Sequence, residues 1–107
     1  MVYVVDIDGT ICSLAVNNDY KSSKPFKDRI KRINDLYDEG NTIIYFTARG
    51  MGRHKNNPRR AIQEFYSMTE QRLKEWGAKY HDLILGKPAG DVYIDDKAVE
   101  ANEFFDK

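Results

Sequence analysis

The chain opens on Val2-Tyr3-Val4-Val5, an unbroken β-branched and aromatic run, and follows it at once with Asp6-Ile7-Asp8-Gly9-Thr10. Such a run reads as a strand buried on both faces. Residues i and i+2 of a strand point to the same side, so Asp6 and Asp8 stand together at one mouth of the sheet. Gly9 permits a sharp turn there, and Thr10 adds a hydroxyl and an N–H. Two acids ending an apolar strand are costly unless something offsets their charge. A divalent cation is the simplest candidate.

Residues 11–24 hold asparagines and consecutive serines without periodicity, which predicts a surface flap or short hairpin beside the two acids. Pro25 suits the first turn of a helix whose inward face is Phe26, Ile30, Ile33, Leu36 and Tyr37, closed by Gly40. Asn41 to Phe46 reads as a second buried strand, delivering Thr47-Ala48-Arg49-Gly50. After a polar loop, Asn57-Pro58 caps a second helix. Its expected inward face is Ile62, Phe65, Tyr66, Thr69, Leu73 and Trp76, and Gly77 closes it. Leu83-Ile84-Leu85 predicts a third strand before Gly86-Lys87-Pro88. Val92-Tyr93-Ile94 predicts a fourth before Asp95-Asp96, and Lys97 to Phe105 a last helix.

Alternating strands and helices imply an α/β fold built as a three-layer, open, mostly parallel sheet of about four strands. Ligands of such sheets sit at the carboxyl ends of the strands. Here each strand ends in chemistry: two aspartates, then Thr47 and Arg49, then Lys87, then two more aspartates.

A chain of 107 residues, 41% hydrophobic and 12% aromatic, is one globular domain, 1–107, with no room for a second core. Lys plus Arg and Asp plus Glu balance at 17 each, so charge favours neither nucleic acid nor a membrane surface. Cys12 is the only cysteine, which excludes an internal disulfide and fits a reducing compartment. No apolar run approaches the ~20 residues of a spanning helix. The start also lacks a charged leader, so a cytoplasmic location is expected.

Four carboxylates around one crevice suit Mg²⁺, a hard cation that takes oxygen ligands. A hydroxyl, an ammonium, a guanidinium and the N–H groups of a glycine turn suit phosphate oxygens. One aspartate could attack phosphorus while another protonates the leaving oxygen and then activates water.

Asp6-Ile7-Asp8-Gly9-Thr10 resembles the first motif of the haloacid-dehalogenase-like superfamily of phosphatases. Thr47, Lys87 in Gly86-Lys87-Pro88, and Asp95-Asp96 resemble its second, third and fourth motifs, in the family's order. The resemblance implies Asp6 as nucleophile and metal ligand, and Asp8 as general acid/base with its backbone carbonyl on the metal. It implies that Thr47 and Lys87 hold the phosphoryl group. Asp96 would be a direct metal ligand and Asp95 a more remote one. Gly9, Thr10, Thr47, Ala48, Arg49 and Lys87 complete the expected phosphate-binding set.

No cap domain is inserted between the motifs, so the likeness is to small capless phosphatases, including those associated with capsular-polysaccharide and sugar-phosphate genes. The expected activity is Mg²⁺-dependent hydrolysis of a sugar phosphate or similar small phosphate ester through an aspartyl-phosphate. An open site of this kind must take a large substrate or borrow a lid from a second copy. Activity on 3′-phosphorylated nucleic-acid ends, or a phospho-acceptor module without turnover, are the alternatives. Zero net charge argues against the first. The absence of a lone acceptor aspartate between the acidic pair and Thr47 argues against the second. The basic stretch Arg53 to Arg60 reads as a solvated loop, and His54 and His81 lack partners at zinc spacing.

Overall fold

The computed structural model describes residues 1–17 and 19–106. Asn18 of the expected flap and Lys107 lie outside the described residues. Strands and helices alternate as β1 (Val2–Val5), α1 (Lys27–Asp38), β2 (Thr42–Thr47), α2 (Pro58–Glu75), β3 (Asp82–Leu85) and α3 (Ala101–Phe105). The three strands form one parallel sheet in the order β1-β2-β3. Val4 lies beside Ile44, and Phe46 beside Ile84.

Alternation divides the sheet into two unequal faces. Val5, Ile43, Tyr45, Leu83 and Leu85 are buried and share one core with Ile30 and Ile33 of α1 and Phe65 and Leu73 of α2. Tyr3, on the same face, meets Phe104 of α3 edge-on. The opposite face carries Val2 and Val4, 63% and 61% exposed, with Ile44 and Phe46 half-buried and Ile84 exposed. The helices therefore form a single layer. Crossovers between parallel strands take one hand, so two steps in the same direction place α1 and α2 on the same side. A third layer requires the strand order to reverse, and here it does not.

This corrects the expected fold in two respects. Among the described residues the sheet has three strands rather than four, and the fold two layers rather than three. Val92, Tyr93 and Ile94 form no strand; they are 76%, 51% and 95% exposed. Nor is β1 buried on both faces, because nothing covers Val2 and Val4.

The helix boundaries follow the expected punctuation. The Asn57 side chain accepts from the Arg60 N–H, and Pro58 takes the first turn of α2. The buried stripe is Ala61, Phe65, Thr69 and Leu73, the last three as expected, but Ala61 takes the place expected of Ile62, which is 43% exposed. Ala61 faces inward because the loop after β2 comes close: a Cβ on Gly50 would lie 3.3 Å from the Ala61 Cα. The α1 helix starts at Lys27 and buries Ile30 and Ile33 as expected. The last helix begins only at Ala101, where the Glu100 carboxylate accepts from the Glu103 N–H. Among its described residues the flap makes isolated antiparallel bridges, Cys12 with Pro25 and Val16 with Asp19, rather than a continuous hairpin ladder. Its ends are pinned by Ser13 N–H to the Lys24 carbonyl and Phe26 N–H to the Ile11 carbonyl. Among the described residues no helix is long and apolar enough to cross a membrane.

Candidate active site

Asp6 leaves the end of β1 with its side chain about a third exposed, at 35%. Lys87 Nζ stands 3.5 Å from its Oδ1, and the Thr10 hydroxyl donates to its Oδ2 at 3.1 Å. Lys87 reaches this point because its backbone N–H donates to the Thr47 carbonyl, extending the pairing of β3 with β2 by one bond. Lys87, remote in sequence, and Thr10, from the turn that follows Asp6, thus converge on the Asp6 carboxylate at the carboxyl end of the sheet.

Asp8 is held quite differently. Arg49 Nε donates to its Oδ2 at 2.8 Å and Arg49 Nη2 to its Oδ1 at 2.9 Å, a two-pronged ion pair. The Arg49 side chain is 0% exposed and that of Asp8 19%. Arg49 Nη1 also donates to Thr69 Oγ1 at 3.4 Å, and its guanidinium lies over the Tyr20 ring at 4.8 Å. Burial alone would lower the Arg49 pKa, yet the hydrogen bonds and charge of Asp8 outweigh it and hold the group above its ordinary value. The Tyr20 hydroxyl in turn accepts from the Gly50 N–H at 2.9 Å, which ties the flap to the loop after β2. Beside Asp8, the Cys12 thiol is pushed up to about 12, first by burial and then by the Asp8 charge.

Several expected phosphate contacts are occupied. Gly9, at φ 81°, makes the turn the sequence implies, but its N–H donates to the Cys12 carbonyl, and the Thr10 N–H to the Ile7 carbonyl. The Thr47 hydroxyl is buried and accepts from the Arg49 N–H at 3.1 Å. The Ala48 carbonyl accepts from Met51 N–H. Arg49 faces Asp8 and the core, not the mouth of the site. Of the expected phosphate-binding set, Lys87 and the Thr10 hydroxyl are the side chains that meet Asp6.

The late acidic pair does not join the early one. Asp95 and Asp96 are exposed, and Asp95 Oδ1 accepts from the Lys97 N–H at 2.9 Å. That N–H, and then the Asp96 side chain, hold Asp95 below the usual carboxylate range. Among the described residues, no three Asp, Glu, His or Cys side chains gather closely enough to hold a metal ion. The expected four-carboxylate Mg²⁺ site is therefore not assembled in this arrangement. Its cause is the missing fourth strand, which would have carried Asp95 and Asp96 to the sheet.

Tyr20, Thr69 and Tyr93 were not foreseen as neighbours of the site. Lys87 Nζ lies 4.4 Å from the Tyr93 ring centre, and the Tyr93 hydroxyl donates to the Pro88 carbonyl at 2.6 Å. None of these three sits at a strand end, so strand-end chemistry could not find them. Of the basic stretch, Arg53 and His54 both contact Glu64 of α2. Two shallow clefts lie along α1, one of them reaching Trp76, and neither is lined by an expected site residue. The site is an open mouth.

No family model and no curated protein matches the chain. A crystal structure of a structural-genomics target from Vibrio cholerae is similar to it. The TM-score is 0.90 at 28% identity, over 99% of this chain and 88% of that one.

Proposed function

We propose that the protein is a phosphomonoester hydrolase working through Asp6, with a sugar phosphate or similar small phosphate ester as substrate. The observation that carries this reading is the convergence of Lys87 and Thr10 on the partly exposed Asp6 carboxylate. A carboxylate beside a positive charge can receive an anionic phosphate that would otherwise be repelled. The order of the four motifs along the sequence supports the same chemistry.

In the proposed reaction one Asp6 oxygen attacks phosphorus and the bond to the leaving oxygen breaks, giving an aspartyl-phosphate. Water then attacks phosphorus, the bond to Asp6 breaks, and inorganic phosphate departs. Lys87 keeps Asp6 aimed and draws the phosphoryl oxygens. Asp8 is the proton carrier of the proposal. Because Arg49 engages both of its oxygens, Asp8 has to release one of those bonds before it can exchange a proton with the leaving group or with water.

Mg²⁺ belongs to the proposal as the counter-charge for Asp6 and substrate. Among the described residues, the carboxylates as placed do not complete its site. The test is phosphate release by purified protein and by Asp6→Asn, with Mg²⁺, across a phosphomonoester panel. The wild type should turn over at least one ester, and the variant should lose that turnover by several orders of magnitude while keeping its circular dichroism spectrum. Equal turnover in both rejects nucleophilic catalysis by Asp6.

A further inference from the structure

The Arg49 guanidinium is a buried cation with few partners able to hold it. Asp8 accepts from Nε and Nη2, and Thr69 Oγ1 accepts from Nη1. The sulfurs of Cys12 and Met68, at 3.9 and 4.0 Å, are weak acceptors. The flat face of the group is left, and the Tyr20 ring lies against it with its centre 4.8 Å from Cζ. A ring face attracts a cation most strongly where water is excluded, and the Arg49 side chain is 0% exposed. We propose that Tyr20 is a positioning residue: its ring seats Arg49, and through Arg49 it sets the Asp8 carboxylate that carries the proton. The seat stands on geometry alone, whereas its use in proton transfer rests on the proposed function.

Tyr20 is itself firmly fixed. It opens a single 3₁₀ turn, Tyr20–Ser22, which the Asp19 carboxylate caps by accepting from the Lys21 N–H at 3.1 Å. Arg72 of α2 donates to the Ser23 carbonyl at 2.6 Å and holds that turn against the helix. The Tyr20 ring meets Phe65 edge-on at 4.9 Å, and its hydroxyl accepts from the N–H of Gly50, the residue after Arg49. Packing on Phe65 alone would be served by any apolar side chain. The hydroxyl bond to Gly50 and the ring face turned to the guanidinium instead address Arg49 and its loop.

The seat matters because Asp8 must give up one Arg49 bond before it acts. Anchored by Tyr20 and Thr69, Arg49 stays in place when one Asp8 oxygen turns toward the leaving group, and it keeps its bond to the other. The Asp8 proton then passes to the leaving oxygen as that oxygen's bond to phosphorus breaks, and the carboxylate left behind returns to Arg49. Without the ring, the guanidinium follows Asp8 and keeps both bonds, which withholds the proton. Alkyl and sugar phosphates, whose leaving oxygen needs a proton, should therefore depend on the seat. A nitrophenolate, which departs as a stable anion, should not.

The first test needs no turnover. Urea unfolding is compared for the wild type, Tyr20→Leu, Arg49→Met and the double variant, with Tyr20→Phe as the change that keeps the ring. The double variant should raise the unfolding constant about fivefold less, or better, than the product of the two single effects. Tyr20→Phe should couple to Arg49→Met by no more than about twofold, because the hydroxyl serves Gly50. Should Tyr20→Leu not fold, trifluorophenylalanine at position 20 keeps the shape of the ring but drains charge from its face, and has to couple to Arg49→Met instead. Effects that simply multiply overturn the seat. The second test compares kcat/KM on an alkyl phosphate and on 4-nitrophenyl phosphate, with Mg²⁺. Tyr20→Leu, or the trifluorinated ring, should lose about tenfold or more on the alkyl ester and at most about threefold on the nitrophenyl ester. Tyr20→Phe should stay within about twofold of the wild type on both. Equal losses on the two esters overturn the positioning role, and a Tyr20→Phe variant as impaired as Tyr20→Leu overturns the part given to the ring. Coupling in a protein that hydrolyses no phosphoester sustains the seat and rejects its use in proton transfer together with the proposed function.

Discussion

The Asp8–Arg49 pair makes a prediction whose sign depends on which partner is removed. Asp8→Ala leaves the Arg49 guanidinium with a side chain 0% exposed and no carboxylate, facing Thr69, the Tyr20 ring and the sulfurs of Met68 and Cys12. A buried charge stripped of its partner costs about 3–5 kcal/mol. Arg49→Met instead leaves Asp8, whose side chain is 19% exposed and can turn toward water. That loss should be smaller, about 1–3 kcal/mol for a hydrogen-bonded charged group that regains solvent. The double variant Asp8→Ala, Arg49→Met removes both charges and should be less damaging than the sum of the two singles by about 2 kcal/mol or more. Urea unfolding of the four proteins closes the cycle. In a domain of this size Asp8→Ala should lower Tm by at least about 12 °C. If Arg49→Met proves the more harmful change, or if the two effects simply add, the buried bidentate pair does not exist in solution. The result also governs how activity data are read. Turnover lost in Asp8→Ala is attributable to proton transfer only when assayed well below that variant's Tm.

Three further outcomes follow from buried groups near the core. The Tyr45 hydroxyl has no hydrogen-bond partner among the described residues and the side chain is 0% exposed. Tyr45→Phe should therefore raise stability by about 1 kcal/mol in urea unfolding, and a comparable loss would reveal a hidden partner. At Gly50, φ is 79° and a Cβ would collide with the Phe65 ring, so Gly50→Ala should cost about 2–4 kcal/mol and loosen the loop that carries Arg49. Cys12, raised from 9.0 to about 12 by burial and then by Asp8, keeps its proton in the native state where the unfolded chain has lost it. Stability should therefore fall as pH climbs from about 9 toward 12, by up to about 1.4 kcal/mol per unit. Burial raises the Tyr45 phenol as well, so the comparison is best made in the Tyr45→Phe background. There Cys12→Ala should flatten the fall, and an unchanged slope would refute the assignment.

Local signals located most of the elements, because they act over a few residues. Asn57-Pro58 starts α2, Ile30 and Ile33 face the core, and the strands ending at Val5, Thr47 and Leu85 pair in parallel. The convergence of Lys87 on Asp6 was legible too, since a parallel sheet brings its strand ends to one side. What could not be read from pattern was anything set by three-dimensional partners. Arg49 is two residues beyond Thr47, yet nothing in that spacing says it turns inward to clamp Asp8 rather than outward to substrate. Asp8 supplies the charge that makes the inward position tolerable, and Tyr20 and Thr69, from the flap and α2, complete the guanidinium's surroundings. Val92-Tyr93-Ile94 is the sharper case. Its composition favours a strand, yet the segment folds back on itself, the Tyr93 hydroxyl donating to the Pro88 carbonyl and accepting from the Gly90 N–H. Propensity and topology therefore disagree within one molecule.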